Sequence, residues 1–348
     1  MRARTLRACS AIAAFSLCGS VTLGCDRIID AQIERGLTRD RTSILRAPGL
    51  HVELCGTGSP LPDPDRASAC TAVVAGGHLL LFDVGPGSWE QVDLGDLPTS
   101  ALAAVFLTHF HSDHIGDLGE AITQSWIAGR AEPLDVVGPQ GTAEVVAGFA
   151  AAYAADARAR VAHHGAAALS PAGATAVVHE GPMFEGVDAE PVVVWERDGV
   201  RVLMFPVDHR PVSPAVGYRI EYAGRSVVVS GDTRKSASVE RAARGTDLLI
   251  HEALEANAIR RVSSVAARIG QDRLAKLAND IPGYHTTPVE AAEVAQAAGA
   301  KKLVLTHLVP APRNAWMRRM FLSGTGDAFD GEIVLGEDGM RFDLPPAD

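Results

Sequence analysis

Four side chains able to hold a metal ion fall within six positions: His109, His111, Asp113 and His114, inside the run Val105-Phe-Leu-Thr-His-Phe-His-Ser-Asp-His-Ile-Gly-Asp117. Neutral imidazole nitrogens with a carboxylate oxygen suit zinc and other borderline first-row metals, whereas an all-oxygen set would point to calcium or magnesium. The chain has only 12 histidines, so three of them in six positions is not the composition of an ordinary solvated loop. The apolar residues before Thr108 read as a buried strand and Ile115-Gly116 opens a helix, so the four side chains converge in a strand-to-helix loop.

The pattern His-x-His-x-Asp-His at the end of an apolar strand resembles that of the metallo-β-lactamase-fold hydrolases. The resemblance implies two adjoining sites, with His109, His111 and His209 on one metal, Asp113, His114 and His307 on the other, and Asp232 between them. Two dications a few ångströms apart repel, and shared anions make the pair tolerable. The implied cofactor is two Zn2+, with Mn2+ or Fe2+ as alternatives, and the implied chemistry is hydrolysis by a bridging hydroxide. Several β-lactam-cleaving members carry a cysteine where Asp232 stands, so the site resembles the phosphodiesterase and lactonase branch instead.

Further stretches resemble tRNase Z-like proteins over roughly residues 50–345. They are Gly56-Thr57-Gly58-Ser59-Pro60, Phe82-Asp83-Val84-Gly85-Pro86-Gly87, Val216-Gly217-Tyr218-Arg219-Ile220, Ser230-Gly-Asp-Thr-Arg234, His251-Glu252-Ala253 and His285-Thr286-Thr287. Asp113 and His285 are the candidate catalytic groups. His285 stands where that pattern places a general acid or phosphate-binding histidine, although Thr287 also reads as a helix N-cap that would make His285 a mere neighbour. Asp83 is placed to orient a ligating histidine. His251 and Glu252 read as supporting or structural residues. His163 and His164 either reach a substrate from outside or are simply solvated, while His51, His78 and His179 read as structural.

One departure bears on the substrate. In the tRNase Z pattern a long tRNA-gripping arm lies between the Gly-Tyr-Arg strand and the Ser-Gly-Asp strand, and here only a tight turn around Ala223-Gly224 separates them. With 32 basic and 42 acidic residues the net charge is −10, and phosphate backbones are held by cationic side chains, so nucleic acid is disfavoured. The expectation is a binuclear metal-dependent hydrolase of ester bonds, acting on a small phosphodiester or arylsulfate-type ester. Lactone or β-lactam hydrolysis and tRNase Z-type ribonuclease activity are the alternatives. An inert metal-binding envelope lipoprotein is disfavoured because all seven ligand positions are filled.

The elements that must position these groups are strand-like runs alternating with helices expected over 118–128, 142–155, 262–277, 288–298 and 314–322. They give an α/β fold, and the resemblance implies a four-layered αββα sandwich of two halves packed sheet to sheet. The alanine-rich stretch 150–176 is the least patterned and reads as a flap over the site. Arg2, Arg4 and Arg7 precede a small-residue apolar run ending at Gly24, the pattern of an export signal. Val21-Thr22-Leu23-Gly24-Cys25 resembles a lipobox, with ordinary signal cleavage or an uncleaved anchor as the other options. The expected organisation is a signal peptide over 1–24, a tether over 25–48 and a hydrolase domain over 49–348, exported to the periplasm and lipid-anchored. Losing 1–24 removes three arginines and no acid, which leaves membrane contact to the lipid on Cys25. Cys55 and Cys70 are placed either to form a disulfide closing a loop of about 15 residues or to stay as buried thiols. A homodimer is among the open oligomeric states.

Overall fold

Short runs rich in Val, Leu, Ile and Phe, bounded by glycine turns, pair into two seven-stranded sheets in the computed structural model, which describes residues 27–36 and 38–347. In chain order the strands are β1 (Leu50–Gly56), β2 (Cys70–Ala75), β3 (His78–Phe82), β4 (Leu102–Phe106), β5 (Leu134–Gly138), β6 (Ala176–Glu180), β7 (Val192–Arg197), β8 (Val200–Pro206), β9 (Val216–Tyr222), β10 (Arg225–Val229), β11 (Leu248–Leu254), β12 (Lys302–Val309), β13 (Glu332–Leu335) and β14 (Arg341–Leu344). The first sheet has the order β14-β1-β2-β3-β4-β5-β6 and the second β13-β12-β11-β10-β9-β8-β7. In each, three antiparallel pairings give way to three parallel ones. Parallel neighbours need crossover connections, and helices supply several of these.

The inner faces meet in a core of Leu50, Val52, Leu80, Phe82 and Phe106 from one sheet and Met204, Tyr218, Ile220, Val227 and Ile250 from the other. Two further clusters lie under the outer helices, one around Leu81, Val105, Ala121 and Val136 and one around Val228, Leu249, Ala292 and Leu303. The result is the expected αββα sandwich. Cys55 and Cys70 form a disulfide across β1 and β2 with their Cα atoms 5.0 Å apart.

The stretch read as a flap is instead built into the first half. The helix Thr142–His164 continues through it, followed by a 3-10 turn at Pro171–Ala174 and the edge strand β6. Alanine is the strongest helix former and carries the helix on where apolar patterning fades. His163 and His164 end that helix exposed. The helix expected over 262–277 is two helices, Ala256–Arg268 and Asp272–Asp280, broken at Gly270 with φ +76. The described residues up to Ser43 belong to one unit, with an exposed helical run over 27–36, and Ile44 begins the other. Ile44 and Leu45 pack against the outer core of the first sheet. The expected signal and Cys25 lie outside the described residues. No helix among the described residues is long and apolar enough to cross a membrane.

Candidate metal centre

The site sits where strands of both sheets end, the usual place for ligands beside parallel strands. After β4 the chain passes through Thr108 and His109, and His111 stands just before the short helix Ser112–Ile115 that carries Asp113 and His114. Asp83, just past β3 at φ +57, fixes this loop: it accepts from the Thr108 N–H and hydroxyl at 2.8 Å each and meets His114 Nδ1 at 2.7 Å. Aspartate tolerates the left-handed region better than most residues. Past β10, Gly231 holds φ +62, where a Cβ would stand 2.7 Å from the Val216 carbonyl, and this turn delivers Asp232. In β12 the register slips by one residue, since Glu252 pairs with Thr306 while Ala253 pairs with Leu308. His307 is the extra residue of that bulge, at φ +47, which frees it from the ladder.

Asp232 Oδ2 lies 3.4 Å from His114 Nε2 and 3.5 Å from His307 Nε2, and 3.9 Å from both His109 Nε2 and His209 Nε2. Asp113 Oδ2 is 3.2 Å from His307 Nε2. Potential ligand atoms of His109, His111, His209 and Asp232 fall within 4.8 Å of one another, as do those of Asp113, His114 and His307 and those of Asp232, His285 and His307. All seven sequence candidates are thus brought together, and His285 joins them.

The donor set fits metal ions. His114 Nε2, His209 Nε2 and Asp232 Oδ1 are buried without a hydrogen-bond partner, and each such polar atom costs on the order of 1–3 kcal/mol unless something satisfies it. The opposite ring nitrogens are anchored, His114 Nδ1 on Asp83 and His209 Nδ1 on the Tyr284 carbonyl at 3.0 Å. Such anchoring turns the free Nε2 lone pair toward a metal. Burial, reinforced by neighbouring imidazoles, holds His109 well below the ordinary histidine pKa, and burial likewise lowers His111 and His209. Burial alone would raise the Asp232 carboxyl, but His307 and His114 reverse this and hold it well below the carboxylate range. His109, His111 and His209 therefore present neutral nitrogens and Asp232 an ionised oxygen, the forms that bind metal. Burial would lower His114 too, but the Asp232 and Asp83 carboxylates outweigh it and raise the pKa well above the ordinary value, so metal binding there would release a proton.

Glu252, on β11, is the residue whose weight the sequence understates. It is 1% exposed, and Oε1 accepts from the Thr233 and Thr286 amides at 3.1 Å each and meets His285 Nδ1 at 3.0 Å. Burial pushes the His285 pKa down, yet the charge and hydrogen bond of Glu252, followed by Asp232, lift it to about 9. Its ring stacks on His307 with centroids 5.6 Å apart. Thr287 caps the helix Pro288–Ala298 through a capping box with Glu290. His51, His78 and His179 pair with Asp343, Asp198 and Asp135. A cavity of about 500 Å3 opens over Asp113, bounded by Pro60, Leu61, Pro64 and Arg66.

Comparison with known proteins agrees with this architecture. The profile of the family described as Beta-lactamase superfamily domain matches residues 78–308. The chain is 39% identical over 292 residues to a protein of Mycolicibacterium paratuberculosis named Ribonuclease Z, covering 83% of this chain and 96% of that one. A Mycobacterium bovis protein of the same name is 38% identical over 300 residues, covering 85% and 99%. Among solved structures, the metallo-β-lactamase fold protein YhfI from Bacillus subtilis superposes with a TM-score of 0.60 at 19% identity, covering 85% of this chain and all of that one. The short form of human tRNase Z does so with 0.58 at 23%, covering 85% and 99%. Family profile, relatives and a histidine–aspartate cluster suited to metal ions lead to one statement: the chain belongs to the metallo-β-lactamase superfamily and is a metal-dependent hydrolase acting on ester bonds.

Proposed function

We propose that the protein is a binuclear phosphodiesterase for compact substrates, with arylsulfate-type esters as the nearest neighbours in chemistry. His109, His111 and His209 would hold one ion, Asp113, His114 and His307 the other, and Asp232 both; two Zn2+ fit the nitrogen-rich set, with Mn2+ or Fe2+ as alternatives. Once bound, the pair supplies a water acidic enough to ionise near neutrality and positive charge for an anionic transition state. The protein's own contribution is proton control. His285 keeps its proton because Glu252 faces Nδ1, which leaves Nε2 to protonate the departing oxygen. The observation that carries this reading is that buried Glu252–His285 pair beside the seven-residue cluster.

The rim of the site bears on substrate size. β9 and β10 are joined by Ala223 and Gly224 alone, with Tyr222 paired to Arg225, so no arm extends there. Arg210 and Arg234 both pair with Asp208, and Arg313 pairs with Asp63. Cations engaged in this way are poorly placed to grip a phosphate backbone. The name Ribonuclease Z carried by the relatives supports a second reading, cleavage of precursor tRNA. Hydrolysis of bis(p-nitrophenyl) phosphate, p-nitrophenyl sulfate, a chromogenic β-lactam and a precursor tRNA by the purified protein decides between them. Phosphodiester turnover without trailer removal is expected, and efficient trailer removal would install the second reading. We also propose export with a lipid on Cys25, a reading supported by the Cys55–Cys70 disulfide, since such bridges persist in oxidising compartments. Cell fractionation with metabolic acyl labelling tests it.

A further inference from the structure

The helices Ala256–Arg268 and Asp272–Asp280 fold back on each other at Gly270. On the inner side Ile259 and Ala278 are buried with Leu254 and Val309, and Ser263 Oγ donates to the Ala275 carbonyl at 2.8 Å. The outer side has no cover: Val262, Val265, Ile269, Leu274 and Leu277 are between 38% and 64% exposed. At about 100° per residue, Val262, Val265 and Ile269 share one face of the first helix with Arg261 and Arg268 along its edge. Leu274 and Leu277 share a face of the second with Arg273 along its edge. The rotation from the contact residue, Ser263 or Ala275, to the apolar face has the same sense in both helices. An antiparallel pair related in this way shows both faces on one side.

Residues 256–280 hold four arginines and a lysine against two aspartates, a surplus of three positive charges in a chain whose net charge is −10. Lys276 is paired with Asp280, while Arg261, Arg268 and Arg273 make no ion pair among the described residues. We propose that this hairpin face docks on an anionic phospholipid bilayer. Apolar side chains entering the acyl boundary, with long cations along the edge reaching headgroup phosphates, is the arrangement of an interfacial helix. A second copy of the chain would bring like-charged edges together, and RNA would leave five apolar side chains uncovered. The acidic balance of the whole chain hides this local surplus.

The test is co-sedimentation of the full chain with vesicles of phosphatidylcholine, with and without phosphatidylglycerol, comparing the wild type with R261Q/R268Q/R273Q and with I269S/L277S. Residues 1–25 are common to all, so differences report the hairpin. Soluble-ester hydrolysis should be unchanged in both variants, which shows that they fold. Each cation removed is expected to weaken partition onto phosphatidylglycerol vesicles about fivefold, and the three together roughly a hundredfold; I269S/L277S should weaken partition onto both vesicle types. Wild-type-like partition of both variants would overturn the proposal. So would a shift from dimer to monomer, or a loss of tRNA binding, with vesicle partition unchanged.

Discussion

Replacing Glu252 with glutamine removes a charge and little else. Glutamine keeps an oxygen for the Thr233 and Thr286 amides, which Glu252 now satisfies at 3.1 Å each, but it no longer stabilises the His285 imidazolium. His285 stands at about 9 against an ordinary 6.5, with burial opposing and Glu252 the leading cause of the rise. At pH 8 a group at about 9 is roughly nine-tenths protonated, and one at about 6.5 roughly three per cent, so E252Q should lose about thirtyfold in kcat where proton donation limits the rate. At pH 6 both forms are largely protonated and the deficit should nearly vanish. Sign and window follow from the raised pKa: the acid form is present below it and is lost as pH rises through it. Metal ions held by the neighbouring clusters would offset Asp232, which leaves Glu252, hydrogen-bonded to Nδ1, as the group that would keep the proton on His285. The assay is kcat against pH for two phosphodiesters, one with a good and one with a poor leaving group, with metal content as control. A pH-independent loss, or an equal loss for both substrates, would refute the assignment of His285 as acid and Glu252 as its positioning residue.

Asp232→Ala should abolish hydrolysis and lower the metal content of a protein with native far-UV dichroism, and undiminished turnover would remove Asp232 from between the two clusters. Reduction of the Cys55–Cys70 bridge, or C55S/C70S, should cost about 3 kcal/mol in denaturant unfolding for a 15-residue separation; an unmoved midpoint would show that the bridge does not restrain the unfolded chain. Burial would raise the Asp247 carboxyl, but Lys301, the Ser226 amide and Arg225 hold it below the usual range. Its stabilisation is therefore present above the unfolded value of about 3.9 and lost as pH falls through the folded one, so D247N should melt lower than wild type at pH 7 with the gap closing on acidification. A gap independent of pH would mean that Asp247 acts by packing rather than charge.

The four groups from His109 to His114 were legible because their spacing is local: one strand end and one helix turn suffice to bring them together. His209, Asp232 and His307 were legible through the resemblance, and each is a polar residue at the end of a buried β run, which places it at the sheet's edge. The alternation of such runs with helices pointed to an α/β fold, and the resemblance to the metallo-β-lactamase-fold hydrolases implied its αββα arrangement. Sequence did not reveal the partnership of Glu252 with His285, 33 residues apart, because it depends on where β11 ends beside the loop before Pro288. Nor did it reveal the bulge that turns His307 inward, which exists only in the register of β12 against β11. The disulfide stayed open for the same reason, as chain distance says nothing about the 5.0 Å between two Cα atoms. Residue type and local spacing fixed which groups could do the chemistry, while pairing register, which is a property of two strands and not of one, decided how their protons and lone pairs are aimed.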